Sequence, residues 1–188
     1  MALRCELRLS GAGGQGLLFA GKIIAEAAAI YDGKIATQAQ SYGPEARGGA
    51  SKSDVVISDG EIEYPTASSL DLLLALTEES VKAYLTDVKP GGTILVDSDL
   101  VCEVPPGTYH VIRLPIVETA RSEVGKVISA NLVAVGIIVG LIGVVSVGAV
   151  ESAIKARVPR GTEEFNLRAF HAGLDMATGL TAPPAVGP

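Results

Sequence analysis

The chain has 188 residues, 48% hydrophobic and 19% charged, with 21 acids against 15 bases and a formal charge of −6. The apolar fraction and modest charge exclude a disordered chain, and the length suits one domain with a sizeable core. The acidic balance leaves no broad basic face for nucleic-acid phosphates.

Met1-Ala2-Leu3-Arg4 shows no signal-peptide pattern and runs directly into a strand over Arg4–Ser10. The turn Gly11-Ala12-Gly13-Gly14-Gln15-Gly16 comes next, then an Ala- and Leu-rich helix over Leu17–Tyr31 that Asp32-Gly33 stops. Ile35–Gln40 alternates apolar and polar residues, as a second strand does. Ser41–Gly49 holds three glycines and a proline and reads as irregular. Ser51–Ser58 alternates again, and Asp59-Gly60 turns it towards Ile62–Tyr64 in a predicted hairpin. Leu70–Leu76 and Thr93–Asp97 are continuous apolar strands, separated by a short helix capped at Thr77 and ending near Leu85. Tyr109–Leu114 gives one more strand, and helices over Val127–Ile142, Gly148–Arg157 and Thr162–Thr178 fill the rest.

Leu132–Val150 carries no charge and approaches the roughly 20 residues that span a bilayer. Glycines at 136, 140, 143 and 148 and the β-branched cluster Val144-Val145-Ser146-Val147 weaken it as one continuous helix. The better reading is a helix buried in a layered core, a turn near Gly143, and a second helix. No membrane span is expected, and the cytoplasm is the expected location.

Alternating strands and helices, two strands continuously apolar, predict an α/β fold. Specifically, the pattern predicts a doubly wound, mostly parallel, Rossmann-like sheet with a β-hairpin insertion over Ser51–Tyr64 and a C-terminal helical cluster. Residues 1–178 are expected to form one domain and 179–188 a flexible tail.

Gly11-x-Gly13-x-x-Gly16 matches the dinucleotide fingerprint in its strand–turn–helix setting. Its glycines allow a tight turn, and the helix beyond offers free N–H groups to an anion. A nicotinamide or flavin site also needs an acid closing the second strand, where this chain has Ala39, Gln40 and Ser41. The alternatives are a purely structural tight turn, or an anion or partner chain resting on the helix end. The stretch Ser41-Tyr42-Gly43-Pro44-Glu45-Ala46-Arg47-Gly48-Gly49 is more unusual. Arg47 suits a bidentate phosphate or carboxylate contact, and Gly48 and Gly49 permit close backbone approach. The plainer reading is a Glu45–Arg47 ion pair on a surface loop.

Other residues carry less. Cys5 and Cys102, with His110 and His171, show no ligand spacing, which excludes a disulfide framework, structural zinc or a four-thiolate cluster in this chain alone. The histidines read as structural, and Cys5 as a buried thiol. Ser10 lacks the pattern of a nucleophile elbow. Asp97 and Asp99 suit a metal or, more simply, a strand end that caps the next segment. Asn131 reads as the N-cap of the long apolar helix. No catalytic residue and no metal ligand is assigned.

Taken together, Ser10 to Gly16 and Gln40 to Ala50 resemble the gamma subunit of 2-oxoacid:ferredoxin oxidoreductases. The similarity continues through Ser51-Lys52-Ser53-Asp54, Tyr64-Pro65, Lys89-Pro90-Gly91-Gly92 and Val96-Asp97-Ser98, then Asn131, Ala134, Gly136, Asn166, Ala169 and Phe170. The Ser-Tyr-Gly-Pro-Glu-x-Arg-Gly-Gly stretch looks more like the 2-oxoglutarate or 2-ketoisovalerate branch, with 2-oxoglutarate the expected substrate.

The resemblance implies one part of an enzyme that decarboxylates a 2-oxoacid, reduces ferredoxin and releases an acyl-coenzyme A. Thiamine diphosphate, magnesium and iron–sulfur clusters would belong to alpha, beta and, where present, delta subunits. This chain would bind none of them alone. It would pack on the catalytic subunits, help bind coenzyme A, and self-associate when isolated. Carried over, Gly11, Gly13, Gly14, Gln15 and Gly16 with Ser41, Tyr42, Gly43, Pro44, Glu45, Arg47, Gly48 and Gly49 would line that interface and the coenzyme A site. A free-standing Rossmann-type nucleotide- or coenzyme A-binding protein is the alternative.

Overall fold

The computed structural model describes residues 3–41 and 51–180. Its strands are β1 Arg4–Gly11, β2 Ile35–Ser41, β3 Ser51–Ser58, β4 Leu70–Ala75, β5 Val88–Asp97 and β6 His110–Leu114. Its α-helices are α1 Leu17–Glu26, α2 Glu78–Tyr84, α3 Ile116–Thr119, α4 Ala130–Ile142, α5 Val147–Arg157 and α6 Glu163–Ala177. The strands form one sheet in the order β2-β3-β1-β4-β5-β6. Neighbours β1, β4, β5 and β6 run parallel, while β3 runs antiparallel to both β1 and β2.

Side chains leave β1 alternately to the two faces. Cys5, Leu7 and Leu9 join Leu72, Leu74 and Leu95 in a core roofed by α1, α4, α5 and α6. On the other face Leu73, Ala75, Ile94 and Val96 pack with Val81 of α2. Crossovers through α1 and α2 thus cover opposite faces, which makes the sheet doubly wound as the sequence predicts. The antiparallel element has a different partner from the one expected. Ser51–Ser58 pairs with β1 and β2, and Ile62–Tyr64 forms no strand, so the predicted Ser51–Tyr64 hairpin is replaced by an inserted central strand. The reason is burial. β3 is apolar enough to lie inside the sheet, while exposed Tyr64 and Pro65 have no apolar partner face.

The apolar run 132–150 divides as expected. Gly143, at φ +60°, ends α4 in the left-handed region that favours glycine, and Ser146 caps α5 by accepting the Ala149 N–H at 3.2 Å. No helix among the described residues is long and apolar enough to cross a membrane. The Gly136-x-x-x-Gly140 pattern serves the packing of the core instead, since it brings α4 against α6. A Cβ at Gly136 would lie 2.0 Å from the Phe170 carbonyl oxygen, and one at Gly173 would lie 2.0 Å from the Val133 carbonyl oxygen. Asp32, beyond the widened π-turn Ala27–Tyr31 that extends α1, accepts from the Ser146 N–H at 2.7 Å and its hydroxyl at 2.6 Å. That contact anchors the start of α5 to the end of the first crossover. The predicted tail lies outside the described residues from 181 onward.

Candidate functional site at the carboxyl edge of the sheet

β1 delivers the chain to the glycine turn between β3 and β4, at the carboxyl edge where open α/β sheets take ligands. Gly11 leaves room for two neighbouring side chains to close over the turn. A Cβ there would meet Gln15 Oε1 at 2.2 Å and Leu17 Cδ1 at 2.9 Å. Gly16, at φ +74°, opens α1, and no side chain caps that helix start. The Gln15 side chain folds back over the turn, its Oε1 accepting the Ala12 N–H at 2.7 Å. Ser51, opening β3, donates to the Gly11 carbonyl at 3.3 Å.

Asn131 does not cap α4. Ser129 holds the N-cap position, and Asn131 lies inside the first turn, where it serves two elements. Its Oδ1 accepts the Leu132 N–H at 2.8 Å, while its Nδ2 donates to the Gly16 carbonyl at 3.3 Å. Beside this contact lies a mainly apolar cavity of about 150 Å³, lined by Gly14, Gln15, Leu76, Val117, Val127 and Ile128. Val127 and Ile128 at its rim are 47% and 60% exposed.

The flanking groups hold this edge rigid. Ser10 donates its hydroxyl to Ser80 at 2.9 Å, and Thr77 caps α2 by accepting the Ser80 N–H at 3.2 Å. Buried Asp97, closing β5, accepts from the N–H groups of Asp99 at 2.9 Å, Leu100 at 3.1 Å and Val117 at 2.8 Å. It therefore caps the turn after β5 and the start of α3, which is the strand-end role the sequence favours over a metal. Among the described residues no three His, Cys, Asp or Glu side chains stand close enough to share a metal ion. The cysteines do not suit an iron–sulfur cluster either. Cys5 is inside β1 and Cys102 is exposed in the loop after β5. Burial pushes the Cys5 thiol far above its usual range, so it is an inert core group.

The sheet order bears directly on the dinucleotide reading. The two glycine-rich stretches follow the first and second strands, which chain order alone would make neighbours, but β3 separates β1 from β2. The carboxyl end of β2, at Ala39–Ser41, is therefore two strand spacings from the glycine turn, about 10 Å. A ribose-binding acid at that strand end would not stand beside the turn, even if the chain had one there. Of the predicted site residues, Gly11, Gly13, Gly14, Gln15 and Gly16 form one surface. Ser41 ends the edge strand β2, opposite Lys52 in the ladder. Tyr42, Gly43, Pro44, Glu45, Arg47, Gly48 and Gly49 lie outside the described residues.

The histidines are apart from this edge. His110 opens β6, and His171 on α6 pairs with Glu151 at 3.0 Å on an exposed face. Sequence reasoning missed the bridge from Asn131 to Gly16, which spans 115 positions. It also missed the buried pair Arg8–Asp54 under the sheet, at 2.6 and 3.0 Å. The surface can accept a backbone, an apolar side chain or an anion. Neither the turn nor the cavity lining offers a nucleophile or a general base.

Residues 6–176 match the family described as pyruvate ferredoxin/flavodoxin oxidoreductase. The chain belongs to that family of oxidoreductases. Within it, the chain is similar along its length to gamma subunits. It is 48% identical over 180 residues to the 2-oxoglutarate synthase subunit KorC of Methanothermobacter marburgensis, covering 93% of this chain and 97% of that one. The crystal structure of the keto/oxoacid ferredoxin oxidoreductase gamma subunit from Geobacter sulfurreducens superposes with a TM-score of 0.86 at 54% identity, covering 93% of this chain and 97% of that one. The ketoisovalerate oxidoreductase subunit VorA of Methanothermobacter thermautotrophicus is 35% identical over 136 residues, covering 72% of this chain but 28% of VorA. The resemblance read from the glycine turn and the Gln40–Ala50 stretch is therefore borne out.

Proposed function

We propose that the chain is the gamma subunit of a cytoplasmic 2-oxoglutarate:ferredoxin oxidoreductase, with residues 1–178 acting as one unit on alpha and beta partners. The observation that carries this is the 48% identity to a 2-oxoglutarate synthase subunit over nearly both full lengths. The physical reading agrees with it. The complex joins thiamine diphosphate and magnesium chemistry, iron–sulfur electron transfer and coenzyme A acylation, and the two cysteines here do not suit a cluster. When bound in the complex, thiamine diphosphate supplies the carbanion chemistry of decarboxylation.

This chain's share is a rigid carboxyl edge. Gly13 and Gly14 keep the exposed part of the turn free of side chains, and the uncapped start of α1 leaves N–H groups for a phosphate of coenzyme A. Ser41, Tyr42, Gly43, Pro44, Glu45, Arg47, Gly48 and Gly49 extend that surface, with Arg47 as its cation for a phosphate or a partner's acid. The cavity beside Val127 and Ile128 receives an apolar side chain from a catalytic subunit.

The test is ferredoxin reduction by the complex assembled from this chain and its alpha and beta partners, with 2-oxoglutarate, pyruvate and 2-ketoisovalerate in parallel. The expected result is coenzyme A-dependent turnover fastest with 2-oxoglutarate. The VorA likeness supports a second reading, the branched-chain oxoacid, which faster turnover with 2-ketoisovalerate would establish. A chain that stays unassociated and binds NAD or coenzyme A alone contradicts both.

A further inference from the structure

We propose that Asn131 is a positioning residue that sets the coenzyme A affinity of the glycine turn from across the core. This inference rests on the proposed role of that turn in coenzyme A binding and assigns it a determinant outside its own sequence. The Gly16 carbonyl accepts two hydrogen bonds, from the Ala20 N–H at 3.0 Å and from Asn131 Nδ2 at 3.3 Å. The first is the opening bond of α1, and the second adds a restraint from outside the helix on the peptide plane from which it starts. Asn131 is 8% exposed, and its Oδ1 is held by the Leu132 N–H at 2.8 Å. One buried amide therefore ties the first turns of α1 and α4 to each other.

The fit leaves no slack. A Cβ on Gly16 would lie 2.5 Å from Asn131 Nδ2, so only glycine lets the two groups meet. With no side-chain cap on α1, the Asn131 amide orients the donor array that faces an anion. Without it, the Gly16 peptide is held by the Ala20 bond alone, and the N–H groups at the start of α1 are less firmly directed. Binding weakens while the chemistry, carried by other subunits, does not.

Two substitutions separate this role from a structural one. In Asn131→Asp the carboxylate still accepts the Leu132 N–H and favours the α4 N-terminus, but it opposes the Gly16 carbonyl. In Asn131→Ala both contacts are lost without added charge. In the assembled complex with saturating 2-oxoglutarate, both variants should raise the KM for coenzyme A about tenfold, the scale of one lost buried hydrogen bond. Complex mass and kcat should stay at the parent values. A rise with Asp alone would mean charge repulsion and overturn the inference, as would a complex that fails to assemble or a fall in kcat equal to the rise in KM. Gly16→Ala is the companion variant. If it raises the KM for coenzyme A while both Asn131 variants stay within twofold of the parent, the reading of the turn stands and this inference fails. If no variant moves that KM, the reading of the turn fails and the inference with it.

Discussion

Arg8 and Asp54 face one another across β1 and β3, each almost fully buried, joined by hydrogen bonds of 2.6 and 3.0 Å. Burial by itself would lower the Arg8 pKa, but its bonds to Asp54 and to Asp87 outweigh that and hold it above the usual range. The guanidinium also donates to the Ala67 carbonyl at 2.8 Å and lies 4.7 Å over the Tyr84 ring. It thus fastens the β3–β4 connection and the end of α2 beneath the sheet. Asp54→Asn keeps the shape and removes the charge, leaving a buried cation with a weaker partner. The expected loss is about 3 kcal/mol in chemical denaturation, as for breaking a buried ion pair. A loss below about 1 kcal/mol would show that Asp87 and Ala67 suffice. None of this was legible in the sequence. Arg8 is one of the alternating polar residues of β1, and its partner lies 46 positions away and is defined only by the strand order. The same holds for Asn131, whose position before an apolar run signals a cap, while its contact with Gly16 depends on how α4 meets α1.

At the scale of elements, periodicity located most of the secondary structure and mistook one pairing. The glycine turn, α1, the apolar strands β4 and β5, and the break at Gly143 follow from local chemistry, and all were legible. The partner of Ser51–Ser58 was not, because alternation marks a strand without naming its neighbours. An antiparallel strand inserted between β1 and β2 is a long-range choice, and it alone moves the end of β2 away from the turn. Glycine spacing in the apolar run carried a second message. Gly136 and Gly140 define the face of α4 that meets α6, where Gly173 answers from the other helix. Gly173→Ala would force a methyl against the Val133 carbonyl, and the expected loss is about 3 kcal/mol or more of thermal or denaturant stability. Gly148→Ala, inside α5 with no described atom within 4 Å of the added Cβ, should be neutral or stabilising by up to about 1 kcal/mol. Equal effects at the two positions would contradict the close α4–α6 contact.

For the whole molecule, the doubly wound sheet places the α1 start, the α4 start, the α2 cap and the Asp97-capped turn on one edge. That edge is rigid and has glycine at its centre, while its cavity rim exposes Val127 and Ile128. The composition is poor in redox residues, and the family to which the chain belongs carries out redox chemistry. The two facts agree if neighbours hold the reacting groups and this chain shapes access to them. The cysteine count and the missing acid after β2 made this legible from the residues alone. Residues 42–50 lie outside the described residues; Arg47 and its flanking glycines drew attention by their own chemistry, and the resemblance to gamma subunits is what ties them to the proposed interface. The most direct test is reconstitution of the alpha and beta subunits with and without this chain, following ferredoxin reduction by 2-oxoglutarate as coenzyme A is titrated. Saturable, coenzyme A-dependent reduction is expected only when the chain is present and co-migrates with its partners. Equal rates and equal coenzyme A affinity without it would contradict the role assigned to this subunit.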